Sequence, residues 1–158
     1  MADGGASDPD ARRVAKARTF VVNSLGARAQ SVAEIRAKLA ARDVPEAIAD
    51  DVVDEALRLG YLDDAELAGQ LARGHRARGY GRRRAATALR RRGIGATEAE
   101  AALAEAYGGD EAELAAAALG PRPVGDDRER RRAVAFLVRR GFSSAVAWQV
   151  VRRRDRDA

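Results

Sequence analysis

The sequence predicts an all-α protein built from tandem three-helix repeats, about nine helices forming an elongated, curved body. Ala, Leu, Arg and Glu dominate while Val, Ile, Thr and aromatic residues are sparse, so summed propensity favours helix almost everywhere and no strand is evident. Residues that start helices alternate with residues that stop them. One apolar pattern recurs three times: Leu39 is followed by Asp43 and Val44, Leu89 by Gly93 and Ile94, and Leu137 by Gly141 and Phe142. The three Leu fall at intervals of 50 and 48 residues, the spacing of a helical array. Val52 and Val53, Ala102 and Leu103, and Val150 and Val151 then supply equivalent third helices.

The elements follow in order. After a frayed tail over 1–10, a helix is expected near 11–25. Ser31 ahead of Glu34 opens a second helix over 31–42, because a hydroxyl three residues before a carboxylate makes a reciprocal cap. Pro45 suits the first position of a helix over 45–59, whose stripe is Ile48, Val52, Ala56 and Leu59 and whose stop is Gly60. Asp63 with Glu66 starts 64–78, and 82–92 ends at Gly93. Thr97 with Glu100 starts 97–107, which ends at Gly108; Asp110 with Glu113 starts 110–119, which ends at Gly120. Asp126 with Glu129 starts 126–140, closed by Gly141, and Val146 and Val150 mark the last helix over 144–154. This gives repeats over 11–60, 61–108 and 109–154, each too small to hold a comfortable core alone, so that neighbours stack. The alternative is a compact nine-helix bundle in which the similarity is chance.

Length and composition exclude several function classes. The 158 residues are too few for a large multidomain enzyme. Zero Cys and one His, His75, remove disulfides, thiolate metal sites, a Cys nucleophile and most His-based chemistry together. No run approaches the ~18 apolar residues of a membrane span, and the acidic start lacks an apolar core, so a soluble, cytoplasmic chain is expected.

The charge of +5 is modest but segregated. From Arg73 to Arg92 there are nine Arg and no carboxylate, whereas Asp43 to Glu66 holds nine carboxylates against one Arg. A second basic block, Arg128 to Arg156, follows an acidic stretch, Thr97 to Leu119. Arg82, Arg83, Arg84, Arg90, Arg91 and Arg92, with Arg131, Arg132, Arg139 and Arg140, are therefore candidates for a stripe that meets a polyanion or an acidic protein groove. The competing reading is mutual neutralisation by neighbouring acidic helices.

The catalytic inventory is bare. The segments 82–92 and 97–107 have a helix-turn-helix outline, but the second would enter the major groove carrying Glu98, Glu100 and Glu105 and no cation. Neither Lys16 nor Lys38 sits in a phosphate loop, and Gly79 and Gly81 are followed by Arg84 where a dinucleotide fingerprint needs Gly. Asp63 and Asp64 read as a cap before a Mg²⁺ site, Ser143 and Ser144 as a cap without an activating partner, and His75 as a surface or half-buried residue. Trp148 lies off the Val146 and Val150 stripe, either packed on a neighbouring unit or exposed as an anchor. No cofactor or metal is expected.

Gly60, Tyr61, Leu62, Asp63 and Asp64, the segment from Arg78 to Ile94 with Gly93, and Phe136 to Ser143 with Gly141 and Phe142 resemble the landmarks of the RecX family, in its order and spacing over about 17–151. The resemblance implies a monomeric regulator of the RecA recombinase, without chemistry of its own, whose curved body lies in the groove of the RecA filament on single-stranded DNA. It implies inhibition of RecA ATP hydrolysis, coprotease activity and strand exchange, in DNA repair, homologous recombination and the SOS response. Asp43 departs from the Gly of the other repeats, and Gly120 to Pro123 form a stiff linker. The alternative is a stand-alone nonspecific nucleic-acid binder, with weak direct nucleic-acid contact also open under the first reading.

Overall fold

Most helix starts among the described residues follow a short polar side chain, Asp8, Ser31, Asp63, Asp110, Asp126 or Ser143. The computed structural model describes residues 8–157, and among these it contains nine α-helices and no strand. They divide into two compact units, the first ending at Leu67 and the second beginning at Ala68.

In the first unit, α1 (Pro9–Ala27) begins two residues before the expected start, because Asp8 accepts the Asp10 amide and Pro9 takes the opening turn. The expected tail over 1–10 is thus helical at its end, and 1–7 lie outside the described residues. Helix α2 (Val32–Ala40) opens on a complete reciprocal cap: the Glu34 amide donates to Ser31 Oγ at 3.1 Å and the Ser31 amide to Glu34 Oε2 at 2.9 Å. Helix α3 (Glu46–Arg58) starts one residue after Pro45, which is its cap position. Ala17 and Val21 of α1, Ile35 and Leu39 of α2, and Ile48, Val52, Val53 and Ala56 of α3 close around one core. Leu59, expected to extend the α3 stripe, is instead 57% exposed, because the chain leaves the helix there.

The second unit contains most of α4 (Asp64–Ala77), then α5 (Arg82–Arg91), α6 (Ala96–Ala106), α7 (Glu111–Leu119), α8 (Asp127–Arg139) and α9 (Ser144–Asp157). Asp110 and Asp126 cap α7 and α8 as their positions predict. Thr97 does not cap α6, which starts at Ala96 after Gly95 with no side-chain cap. Gly108 does not close α6 with a positive φ either; Tyr107 ends that helix at φ −114°. Helices α7, α8 and α9 pack on Ala115, Leu119, Leu137, Phe142, Ala147 and Val151.

The repeating pattern has one hydrogen-bond signature. The amides of Val44, Ile94 and Phe142 donate back to the carbonyls of Leu39, Leu89 and Leu137 at 3.2, 3.1 and 3.1 Å, and those of Asp43, Gly93 and Gly141 to Ala40, Arg90 and Val138. This helix stop requires a left-handed residue at its penultimate position, and φ is +56°, +72° and +97° there. The following apolar residue turns inward, Phe142 becoming fully buried.

Candidate functional site

Inside the second unit the N-terminus of α5 meets the C-terminus of α8. Gly81 and Gly141 approach so closely that a Cβ on either would overlap the backbone of the other segment. The Gly81 amide donates to the Arg140 carbonyl at 2.9 Å and the Arg83 amide to the Gly141 carbonyl at 3.1 Å. Tyr80, half-buried, is the hub: the Arg84 guanidinium lies 4.0 Å from its ring centre, that of Arg140 4.7 Å and that of Arg78 5.9 Å. Arg140 also donates from Nε to the Gly79 carbonyl and from Nη2 to the Arg78 carbonyl, at 3.1 and 2.8 Å. The Tyr107 hydroxyl donates to the Tyr80 carbonyl at 2.9 Å. Burial, then the nearby Glu111 carboxylate, push the Tyr107 hydroxyl up to about 12, partly offset by Arg76.

The ten candidate arginines separate into groups. Arg82 is half-buried and used internally, pairing with Glu100 at 2.5 Å while its amide donates to Glu111 Oε1 at 3.1 Å. Arg140 is the brace just described, so its donors face the protein's own carbonyls. Arg83, Arg84 and Arg139 are exposed around the junction, and Arg83 and Arg139 make no side-chain hydrogen bond or ion pair among the described residues. Arg90 and Arg91 are exposed and Arg92 half-buried at the far end of α5, where Arg90 reaches only Thr87 Oγ1 at 3.2 Å. Arg131 and Arg132, exposed and unpaired among the described residues, lie on α8 about 12 Å of helix away from Arg139. Their neighbour Arg130 is neutralised, held protonated chiefly by its hydrogen bond to Asp127, with Asp155 assisting. Acidic neighbours therefore neutralise Arg82 and Arg130 and leave five of the exposed guanidiniums unpaired. The first turn of α5 also carries Arg82, Arg83 and Arg84 and no carboxylate, against the preference of a helix N-terminus for negative charge.

The other singled-out residues have structural work. Asp63 Oδ1 accepts the Glu66 amide at 3.0 Å and Asp64 Oδ1 accepts the Val32 amide at 3.0 Å, so the acidic pair caps one helix and ties down the start of another. Gly60 turns the chain at φ +77°, Leu62 is buried and Tyr61 is 59% exposed. His75 is half-buried with Nδ1 2.9 Å from the Leu71 carbonyl. Ser143 Oγ accepts the Val146 amide at 3.2 Å, and Trp148 is half-buried beneath Arg152. Sequence reasoning missed Tyr80 and Gly81. A Gly-aromatic-Gly run ahead of a helix that lacks a capping side chain was the available signal.

Fold and site define an all-helical protein of tandem three-helix domains that presents arginines on a tightly joined frame. Profiles for the first and second three-helix domains of RecX match residues 17–55 and 63–103. The regulatory protein RecX of Mycolicibacterium vanbaalenii is 34% identical over 161 residues, covering 94% of this chain and 88% of that protein. The regulatory protein RecX of Deinococcus radiodurans is 36% identical over 136 residues, covering 84% of this chain and 65% of that protein. The crystal structure of RecX from Lactobacillus salivarius superposes with a TM-score of 0.82 at 19% identity, covering 94% of this chain and 99% of that one. The chain belongs to the RecX family of regulatory proteins. No helix among its described residues is long and apolar enough to cross a membrane.

Proposed function

We propose that this chain regulates the RecA recombinase by docking, as a cytoplasmic monomer, in the groove of the RecA filament on single-stranded DNA. There it inhibits ATP hydrolysis, coprotease activity and strand exchange during DNA repair and recombination. The three repeats, read as 11–60, 61–108 and 109–154, bring several modest contact patches to successive protomers, so that binding is multivalent. The observation that carries this reading is the set of unpaired exposed arginines, Arg83, Arg91, Arg131, Arg132 and Arg139, on a chain of the RecX family. Three arginines at the start of α5 oppose the helix dipole, and an acidic partner offsets that cost.

The test is RecA-dependent ATP hydrolysis on single-stranded DNA with substoichiometric protein, beside a DNA-only binding control. Inhibition is expected, with Arg83→Glu/Arg139→Glu weakening it about tenfold while the helical circular dichroism stays unchanged. Tight DNA binding with untouched hydrolysis favours the nucleic-acid binder instead. That reading predicts a logarithmic salt slope of about 0.9 per phosphate contact. Tyr80, beside the first basic block, is flanked by guanidiniums and poorly placed to stack on a base, which counts against it.

A further inference from the structure

The first unit contains a cleft of about 620 Å³ between α1 and the turn joining α2 to α3, a volume in the range of ligand sites. Its floor is apolar: buried Ala17 and Leu39, half-buried Phe20 and Val44, and Pro45. Three cations line it. Arg42 is held in place with its guanidinium 3.8 Å from the centre of the Phe20 ring and one N–H on the Lys38 carbonyl at 3.4 Å. Lys16 is exposed and makes no hydrogen bond or ion pair among the described residues, and Arg13 reaches only the exposed Asp10, at 3.3 Å. The remaining charged residue is Asp43, whose carboxylate also has no partner among the described residues.

Asp43 stands where the other two repeats have glycine, and it holds φ at +56°. A side chain kept in that conformation where glycine would be easier points to a use for it. Two ligand chemistries fit a basic cleft, a phosphate chain and an acidic peptide, and Asp43 separates them. A free carboxylate in the cleft repels phosphates but accepts a backbone N–H, which a peptide has and a nucleic acid lacks. The apolar floor likewise suits a side-chain anchor, whereas phosphate tracking needs no such floor. We propose that this cleft docks an acidic peptide segment of a partner protein. One apolar side chain seats over Phe20 and Val44, the flanking carboxylates face Arg13, Lys16 and Arg42, and a peptide amide meets Asp43. The inference is independent of the arginines of the second unit and of the RecA reading.

The test uses the full chain labelled for amide NMR, titrated with a short peptide of Glu and Asp carrying two Leu one helical turn apart. Shift changes are expected to centre on Lys16, Phe20 and Arg42 to Val44. Replacing both Leu by Ser, or changing Lys16→Glu in the protein, is expected to weaken binding about tenfold each. Lys16 is exposed and outside the core, so that variant keeps its fold, which its amide spectrum checks; Arg13→Gln serves as a second variant. Binding that ignores the Leu or the Lys16 change, shifts that gather on α5 and α8 instead, or displacement of the peptide from this cleft by a thymidine oligonucleotide would each overturn the proposal.

Discussion

Asp43 holds a left-handed backbone in the one repeat that lacks glycine at its helix stop. A β-carbon in that region is disfavoured, so Asp43→Gly is expected to raise unfolding stability by about 0.5–1 kcal/mol in urea, net of the extra freedom glycine gives the unfolded chain. The same reasoning reversed applies to Gly141, which combines φ +97° with backbone contact to Arg84. Gly141→Ala should cost at least about 2 kcal/mol, and a loss under half of that would mean the junction is slack. Tyr107 makes a third residue-scale case. Its folded pKa of about 12 lies above the ordinary 10.0, so the folded state keeps a proton that the unfolded state releases between those values. The stability it contributes is complete below about pH 10 and is lost as pH rises through about 12. Tyrosinate absorbance should show an ionisation step near pH 12, and Tyr107→Phe should remove that step.

Individual helices show where local rules decide and where they yield. The α2 cap is complete and its Ser31 is fully buried, so Ser31→Ala is expected to cost about 1 kcal/mol or more by denaturation. Helix α5 breaks the charge rule at its first turn. Arg83→Gln there should leave stability equal or a few tenths of a kcal/mol higher while weakening partner binding, a split that a purely structural arginine would not give. Most of this scale was legible in the sequence, because caps and stops are local chemistry: Ser31, Asp63, Asp110 and Asp126 all cap as their spacing indicates. Thr97 was misleading because Gly95 enters an extended conformation two residues earlier and starts α6 without it. Leu59 was misleading because helical periodicity says nothing about where the chain departs.

At the scale of the whole molecule, the repeating pattern was readable from three Leu and the residues that follow them, and α5 to α9 lie in one compact unit. What could not be read is their joint. It rests on contacts between positions 59 to 62 residues apart, Gly81 with Arg140 and Gly141 and Arg140 with Gly79 and Arg78, and a single sequence holds no record of such distant pairs. The candidate arginines were legible as a set but not by role. Which of them turn inward depends on that joint, which makes Arg140 a brace and leaves Arg83 and Arg139 at its rim.

The glycine contact between α5 and α8 also has a mechanical consequence. Two repeats merely strung in series would yield to a pulling force one after the other, in two short extensions. With Gly81 bonded to Arg140 and Arg83 to Gly141, neither can open without tearing the other. Stretched in an optical trap, residues 68–158 should therefore give way in a single rip of on the order of 30 nm, and Gly81→Ala should split that rip in two.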